Sequence, residues 1–191
     1  MPDDRELIEE IANGSQAAME VLTRRHYKSV YAFVYRKVGD KETAYDLTQD
    51  IFIKVIRSIG SYSGKGSFRS WLFSIAVNHC RDYWGSADYR QAARRSELLP
   101  DTLESEQKSV PYIFERKETR ERIVSAVNSL PERQREALIL KYFHQMKIKD
   151  IAEATGAGVP TVKSRLKQGL EKIAKLWEKG EEDEQRKTKK R

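Results

Sequence analysis

The stretch that decides the fold is residues 146–173, which read MKIKDIAEATGAGVPTVKSRLKQGLEKI. This stretch has the layout of a helix-turn-helix. Ile148, Ile151 and Ala152 predict the apolar side of a first helix. Gly156 lies where the turn requires a positive φ, which glycine adopts without steric cost. The spacing predicts a second helix that begins near Pro160. Its inward stripe would comprise Val162, Leu166, Gly169, Leu170 and Ile173.

The outward face of that second helix is polar. In a helix-turn-helix this face enters the major groove of DNA, where lysine and glutamine side chains can bond to guanine and adenine edges. Residues 141–177 contain eight Lys or Arg against three acids, which favours a polyanionic partner. A helical hairpin with a solvated basic face remains an alternative. The candidate residues for contacts with base edges are Lys163, Ser164, Lys167 and Gln168. Arg165 is better placed for contacts with phosphates.

Apolar residues recur at helical spacing almost throughout, which predicts an all-α protein of two small helical domains. The first, residues 1–84, is a four-helix unit with helices near 4–12, 16–37, 40–58 and 68–84. Residues 85–117 are polar and broken by prolines, as in a flexible linker. Residues 118–177 form the second domain, in which the sequence Ser129–Glu132 is a helix-start signature for a helix to about residue 143, followed by two short helices. Residues 178–191 are predicted to be a charged, frayed tail.

One predicted helix carries an acidic, hydrogen-bonding surface. Residues 46–55 read DLTQDIFIKV, and their apolar side, with Leu47, Ile51 and Val55, accounts for the core. A solvated helix face is the ordinary interpretation of the other side. In a chain of net charge +7, however, such a surface could suit a basic protein partner. The candidate contact residues are Asp46, Gln49, Asp50 and, as an apolar neighbour, Ile53.

The segment that follows is aromatic and cationic. Aromatic faces can hold unstacked bases while Lys and Arg follow the backbone, so single-stranded nucleic acid is a plausible ligand. Phe68 and Trp71 are assigned to the core. Asn78 and Asp82, spaced i, i+4, can bond to base edges, although such residues are often just exposed. The candidate residues for binding single-stranded nucleic acid are Tyr62, Lys65, Arg69, Asn78 and Asp82.

Several function classes are excluded by the pattern. The chain has one cysteine and three histidines without paired ligand spacing, so we expect no metal site, no cofactor and no disulfide framework. Neither a phosphate-binding glycine loop nor a catalytic dyad is present, so we expect no enzyme and no small-molecule substrate. The acidic N-terminus is not signal-like and no apolar run would span a membrane, which predicts a cytoplasmic protein that is not membrane-inserted.

Four ordered blocks carry a family resemblance: DLTQDIFIKV, FRSWLFSIAVNHCRDY (68–83), LPERQREALILKYF (130–143) and TVKSRLKQGLEKI (161–173). They resemble a bacterial sigma factor of the extracytoplasmic-function (ECF) group, which retains only regions 2 and 4. The resemblance implies an alternative sigma factor that directs promoter-specific initiation. It also implies that Asp46, Gln49 and Asp50 meet the β′ clamp helices of core RNA polymerase.

The resemblance implies further contacts with polymerase and DNA. The loop 61–67 and the helix to residue 84 would recognise and melt the −10 element, with one base flipped out, and Asn78 and Asp82 fall at positions that help there. The outward face of the last helix, together with Thr161, would read the −35 element. Further implied partners are the polymerase β flap and an anti-sigma factor. Two other classes are weighed against this one: a stand-alone helix-turn-helix regulator, and an interaction protein that sequesters another factor.

Overall fold

The computed structural model describes residues 2–85 and 122–188, with side chains through residue 178. The described residues contain helices and turns but no β-strand, which confirms the predicted all-α class. The predicted flexible linker, 85–117, lies outside the described residues except for its first position. By their contacts the described residues form two compact units, 2–85 with 139–159 and 122–138 with 160–188.

Four helices build most of the first unit. They are α1 (Asp4–Ala12), α2 (Gln16–Val38), α3 (Lys41–Ser58) and α4 (Phe68–Gly85), with a 3₁₀ turn at Ile59–Ser61 between the last two. These bounds lie within one residue of the predicted ones, because the local signals are strong. Asp40 caps α3 by accepting a hydrogen bond from the Thr43 amide at 2.7 Å. Gly39 ends α2 in the left-handed region, with φ of 79°.

The core of this unit is aromatic and aliphatic. Phe33 of α2 and Phe73 of α4 are fully buried and meet edge to face, with ring centroids 5.5 Å apart. The predicted core residues of α3 are buried, as are Leu72 and Phe68 of α4. Trp71, also predicted to be core, is half-buried. The interior therefore orients α3 and α4 so that their polar faces point outward.

The remaining helices lie in the second described range, residues 122–188. The described part of α5 is 122–128, and it is followed by α6 (Glu132–Leu138), a π-helical turn (Ile139–Phe143), α7 (Ile148–Thr155) and α8 (Val159–Thr188). Gly156 ends α7 with φ of 63°, as the turn pattern predicts. Residues 139–159, which the sequence assigns to the second domain, belong by their contacts to the first unit.

The structure differs from the sequence-based expectation at three helix boundaries. The Ser129 hydroxyl donates to the Ala126 carbonyl instead of capping, so α6 begins at Glu132, the last residue of the predicted start signature, rather than directly after Ser129. The helix predicted to run to about residue 143 changes to π-helical geometry at Ile139. Finally, α8 is one long helix that continues through Thr188, into the segment predicted to fray. Glu, Lys, Gln and Arg dominate that segment, and all four favour helix.

Close packing between α6 and α8 shapes the second unit. A Cβ added to Gly169 would lie 2.8 Å from Cδ1 of Leu138, so the missing side chain permits this approach. Val162 and Leu166 are buried, as the predicted inward stripe requires. The stripe prediction is wrong at Leu170, whose side chain is exposed, because its helix position has turned away from α6.

Two absences are observed in the part of the chain that the structure describes. None of its helices combines the length and the apolar character that crossing a membrane requires. Within the same residues, no group of three or more His, Cys, Asp or Glu side chains is arranged to hold a metal ion.

Candidate nucleic-acid interface and docking surface

The polar face of α3 is exposed as a continuous surface. Leu47, Ile51 and Val55 turn inward and are buried. All four predicted contact residues lie on the exposed side, and their placement therefore agrees with the sequence pattern: Asp46, Gln49, Asp50 and Ile53. We call this set the α3 surface.

Sequence reasoning missed two apolar neighbours of the α3 surface. Tyr45 and Ile56 are 53% and 48% exposed, although each resembles a core residue by type. Exposed apolar side chains beside acids and amides are typical of protein-docking surfaces. A helical wheel could have found them, because positions 45, 49 and 56 fall on one side at steps of four and seven.

A histidine of α4 joins the α3 surface to its surroundings. The Lys54 ammonium donates to Nδ1 of His79 at 2.8 Å, so the ring proton lies on Nε2, which is 3.6 Å from the Asp50 carboxylate. Burial and the charge of Lys54 lower the pKa of His79, and the nearby carboxylates of Asp50 and Asp82 oppose that shift only in part. A neutral ring thus lies between a cation and an anion.

An open cleft of about 380 Å³ lies between α3 and α4. It brings together two of the predicted −10 residues, Asn78 and Asp82, which lie one turn apart on α4 and are both exposed. The amide and carboxylate can bond to base edges, while neighbouring cations can neutralise a phosphate. Sequence reasoning missed the remaining lining residues, because they come from a different helix or carry no motif: Lys54, Arg57, Ser58, Ile75 and His79.

The other three predicted −10 residues do not line that cleft. The ring of Tyr62 packs against Phe68 and Trp71 at 5.6 and 5.5 Å, and its hydroxyl donates to the Gly66 carbonyl. Burial, followed by the charges of Glu153 and Asp4, raises the pKa of Tyr62. Lys65 is exposed. The Arg69 guanidinium donates a hydrogen bond to the backbone carbonyl of His144 at 2.6 Å. This arginine therefore already has a hydrogen-bond partner within the protein.

The predicted reading face of α8 is solvent-exposed at Thr161 and at the four candidate reading residues, and Arg165 is half-buried. Gln168 accepts a hydrogen bond from the Gln134 amide at 2.9 Å and donates to the Ser164 hydroxyl at 3.2 Å. Lys167 lies 3.9 Å from Glu171, at a distance typical of weak exposed pairs. The Ser164 and Gln168 side chains are therefore held in place before any ligand arrives.

Comparisons with known proteins identify the family of the chain. The family model of sigma-70 region 2 matches residues 22–90, and that of sigma-70 region 4 matches residues 120–173. The ECF RNA polymerase sigma factor SigK of Mycobacterium sp. (strain JLS) is 30% identical over 86% of this chain and 85% of its own length. The chain belongs to the ECF group of RNA polymerase sigma factors.

Two other curated relatives lie in the same range of similarity to this sigma factor. The RNA polymerase sigma-H factor of Pseudomonas aeruginosa is 28% identical, over 90% of this chain and 92% of the relative. The ECF RNA polymerase sigma factor SigE of Mycolicibacterium smegmatis is 32% identical over 85% of this chain but only 63% of the relative. The match therefore spans nearly all of some relatives and less than two thirds of others.

Two solved structures share the fold of this sigma factor. The structure of CnrH in complex with the cytosolic domain of CnrY has a TM-score of 0.66 at 24% identity, over 92% of this chain and 97% of that one. The sigma factor RpoE, in complex with the anti-sigma factor NepR from Bartonella quintana, has a TM-score of 0.64 at 21% identity, over 83% and 96%.

The family decides the functional class. A chain with both sigma-70 regions is a transcription initiation factor rather than an enzyme, and it works as an alternative sigma factor with core RNA polymerase and promoter DNA as its partners. A stand-alone regulator is not favoured, because region 2 occupies the part of the chain where a sensory or dimerisation domain would otherwise be needed. The roles of individual residues remain predictions.

Proposed function

We propose that the α3 surface is the surface through which this sigma factor binds core RNA polymerase. Asp46, Gln49 and Asp50 would bond to the β′ clamp helices, with Ile53 as an apolar contact. The observation that carries this proposal is the exposure of all four residues on one helix face of a strongly basic chain. An acidic surface on such a chain favours a basic protein over DNA.

The cleft between α3 and α4 is the proposed site for a base of the melted −10 element. Its amide and carboxylate side chains, Asn78 and Asp82, offer a donor and acceptors to a base edge. Lys54 and Arg57 on the opposite wall would neutralise the adjoining phosphates. Tyr62, Lys65 and Arg69 lie outside this cleft and would contact the flanking strand.

The exposed face of α8 is the proposed reader of the −35 element. Lys163, Ser164, Lys167 and Gln168 would face base edges, with Thr161 beside them, and Arg165 would contact the backbone. The hydrogen bonds that hold Ser164 and Gln168 in the free protein lower the entropic cost of ordering these side chains on DNA. The second unit would also contact the polymerase β flap.

An anti-sigma factor is the proposed inhibitor. The solved RpoE relative is a complex with the anti-sigma factor NepR, and the CnrH relative is held by the cytosolic domain of CnrY. By analogy a comparable protein would cover the polymerase-binding surfaces of this chain. The compartment would be the cytoplasm, because polymerase and promoter DNA are both there.

Charge reversal on α3 tests the polymerase contact. Asp50→Arg should weaken binding to core polymerase by at least an order of magnitude, since close interfacial charge pairs couple by roughly 1.5–7 kcal/mol. Asp46→Arg should act in the same direction, and it avoids any effect through His79. Affinity would be measured with fluorescently labelled chain and purified core polymerase.

The matched control for α3 is Glu10→Arg, which makes the same charge change at an exposed position of α1. It should leave polymerase affinity unchanged, and each variant should still bind −35 duplex DNA as the parent does. Wild-type polymerase affinity in both α3 variants would contradict the assignment. Failure of the unmodified chain to direct core polymerase to any defined promoter would contradict the proposed function as a whole.

A further inference from the structure

One carboxylate ties the N-terminal helix to the middle of α2. Asp4, the first residue of α1, bonds to two consecutive residues of α2. The Arg25 guanidinium donates to Oδ1 of Asp4 at 2.6 Å, and Nε2 of His26 lies 2.8 Å from Oδ2. Because a carboxylate only accepts, His26 donates its Nε2 proton to Asp4. Arg25 also donates to the Pro2 carbonyl at 2.6 Å. Both carboxylate oxygens of Asp4 are therefore used in holding α2.

The imidazole of His26 connects this carboxylate to the start of α4. Its side chain is 13% exposed, and its ring meets that of Phe68 edge to face, with centroids 5.4 Å apart and an angle of 64° between the ring planes. Phe68 is the first residue of α4 and is buried. The hydrogen bond to Asp4 fixes the rotation of the imidazole, so α1 sets how that ring meets Phe68.

Phe68 belongs to a cluster of three rings that supports the loop 61–67. The ring of Tyr62, near the beginning of the loop, lies 5.6 Å from Phe68 and 5.5 Å from Trp71, and the last two rings are 5.7 Å apart. The Tyr62 hydroxyl donates to the Gly66 carbonyl at 3.0 Å, which joins the two ends of the loop. The orientation of Phe68 therefore affects the placement of Tyr62.

The backbone of the loop 61–67 allows more than one shape. Gly64 and Gly66 have positive φ values of 71° and 79°, in a region where glycine adopts many conformations at little steric cost. The side chains of Ser63 and Lys65 between and beside them are exposed. Packing of the aromatic cluster against α4 thus restricts a loop that its own residues leave adaptable.

The carboxylate of Asp4 also lies close to this loop. Burial, followed by the charges of Glu153 and Asp4, raises the pKa of Tyr62. An acid at this place repels a phosphate, so Asp4 is unsuited to a direct contact with DNA. Any effect of Asp4 on promoter DNA is therefore transmitted by the side chains that it holds.

We propose that Asp4 and His26 are positioning residues for promoter melting. Through Phe68 they hold Tyr62 and the loop 61–67 in the conformation that captures the −10 strand. This inference rests on the proposed −10 role of the loop, whereas the contacts from Asp4 to Tyr62 do not. The N-terminal helix thereby acts on the DNA step without touching DNA.

The rate of promoter melting by the holoenzyme tests the proposal. The probe is a promoter that the parent holoenzyme opens, with 2-aminopurine in its −10 element, whose fluorescence rises as the strands separate. Asp4→Ala removes both acceptors, and His26→Phe keeps a ring against Phe68 but cannot bond to Asp4. Each should melt the promoter several-fold more slowly than the parent, with unchanged affinity for core polymerase. Because the two residues act through one contact, the double variant should be no slower than either single one.

Two controls separate positioning from simple anchoring of α1. Glu10→Ala removes an exposed acid from the same helix and should melt the promoter at the parent rate. Arg25→Gln removes the other partner of Asp4 but leaves the bond to His26, so it should also melt at the parent rate. If Arg25→Gln were as slow as Asp4→Ala, loss of α1 anchoring would explain both, and the proposal would be overturned.

A local readout on the free chain completes the test. Protein labelled with 5-fluorotryptophan gives ¹⁹F resonances for Trp71, Trp84 and Trp177, assigned by replacing each with phenylalanine. In Asp4→Ala the Trp71 resonance should shift or broaden, while the other two stay in place. General destabilisation of a still folded protein would not select Trp71. A parent-like Trp71 resonance together with a parent rate of melting would overturn the proposal.

One further variant distinguishes this inference from the proposed function on which it rests. Tyr62→Ala changes the loop itself and should also slow melting in the holoenzyme. A parent rate for Tyr62→Ala would overturn the −10 role of the loop, and the positioning role with it. A slow Tyr62→Ala beside a parent rate for Asp4→Ala would overturn the positioning role alone.

Discussion

At the scale of single residues, His144 has the most unusual environment. Burial lowers its pKa to about 4, and the charges of Arg36 on α2 and Arg69 on α4 add to that shift. Ser29, which also faces the ring, is neutral. A protonated imidazole would therefore lie in an apolar environment between two permanent cations, Arg36 and Arg69. The buried ring is therefore held in its neutral form.

Acidification should consequently detach residues 143–155, which are docked on the first four helices, from those helices. The ring has its ordinary pKa of 6.5 when undocked and about 4 when docked, so protons bind the undocked state more tightly. Docking is fully present above pH 6.5 and is lost as pH falls from there toward 4. At pH of about 5.5 the docking equilibrium should be about tenfold less favourable. Spin labels on cysteines introduced at two exposed positions, Glu20→Cys on α2 and Lys149→Cys on α7, give a distance distribution across this range that measures it.

The control for this pH dependence is His144→Phe, which cannot titrate. Its distance distribution should stay narrow throughout the same range. If His144→Phe opened on acidification just as the parent does, another group would be responsible.

At the scale of the helices, the stability of the second unit depends on close packing between α6 and α8. Gly169 permits this closeness, because Leu138 is buried and its Cδ1 lies 2.8 Å from the place of the missing Cβ. The same crossing holds the Gln134–Gln168 hydrogen bond that orders the reading face. The stability of the unit and the geometry of the residues proposed to read DNA are thus linked at one position.

Gly169→Leu should destabilise the second unit by roughly 1–3 kcal/mol, the usual cost of overpacking a well-packed site. The gain in helix propensity, about 1 kcal/mol at most, offsets only part of this cost. Thermal unfolding followed by circular dichroism would show a lower midpoint. Gly60→Leu is the control, since a Cβ there meets nothing within 4 Å. An unchanged midpoint for Gly169→Leu would contradict the packing argument.

At the scale of the whole molecule, two proposed binding surfaces of different chemistry, the α3 surface and the exposed face of α8, belong to one basic chain. The net charge of +7 favours promoter DNA, whereas the α3 surface is acidic and rich in hydrogen-bonding groups. The two surfaces come from separate stretches of sequence, each matched by its own family model. Substitutions on one should therefore leave the partner of the other unaffected.

Lys163→Gln should change the −35 preference of the holoenzyme without weakening its assembly. Loss of a base contact typically costs ~1–3 kcal/mol of discrimination at one position. Transcription from a library of promoters randomised in the −35 element measures the change. Lys175→Gln, three turns further along α8 and also exposed, is the control and should leave the preference as it is. An unchanged promoter profile for Lys163→Gln would count against its reading role.

The sequence by itself determined the helices, their polar faces and the family. Gly156 predicted a helix end correctly, and the caps at Gly39 and Asp40 lie at the predicted helix bounds, because caps and helical hydrogen bonds join residues only a few positions apart. The exposed α3 surface followed from the same local periodicity. The start signature at Ser129 was wrong because its hydroxyl had a competing local acceptor, which a sequence pattern does not rank.

Only the tertiary structure decided which distant residues meet. Lys54 and His79 are 25 positions apart, Arg69 and His144 75, and Ser29 and His144 115. Periodicity predicts which side of a helix is buried, but it does not predict which residues that side packs against. In the sequence, His144 is one of three histidines without paired ligand spacing. Its burial between Phe33 and Phe73 is a property of packing that no local hydrogen-bond pattern encodes.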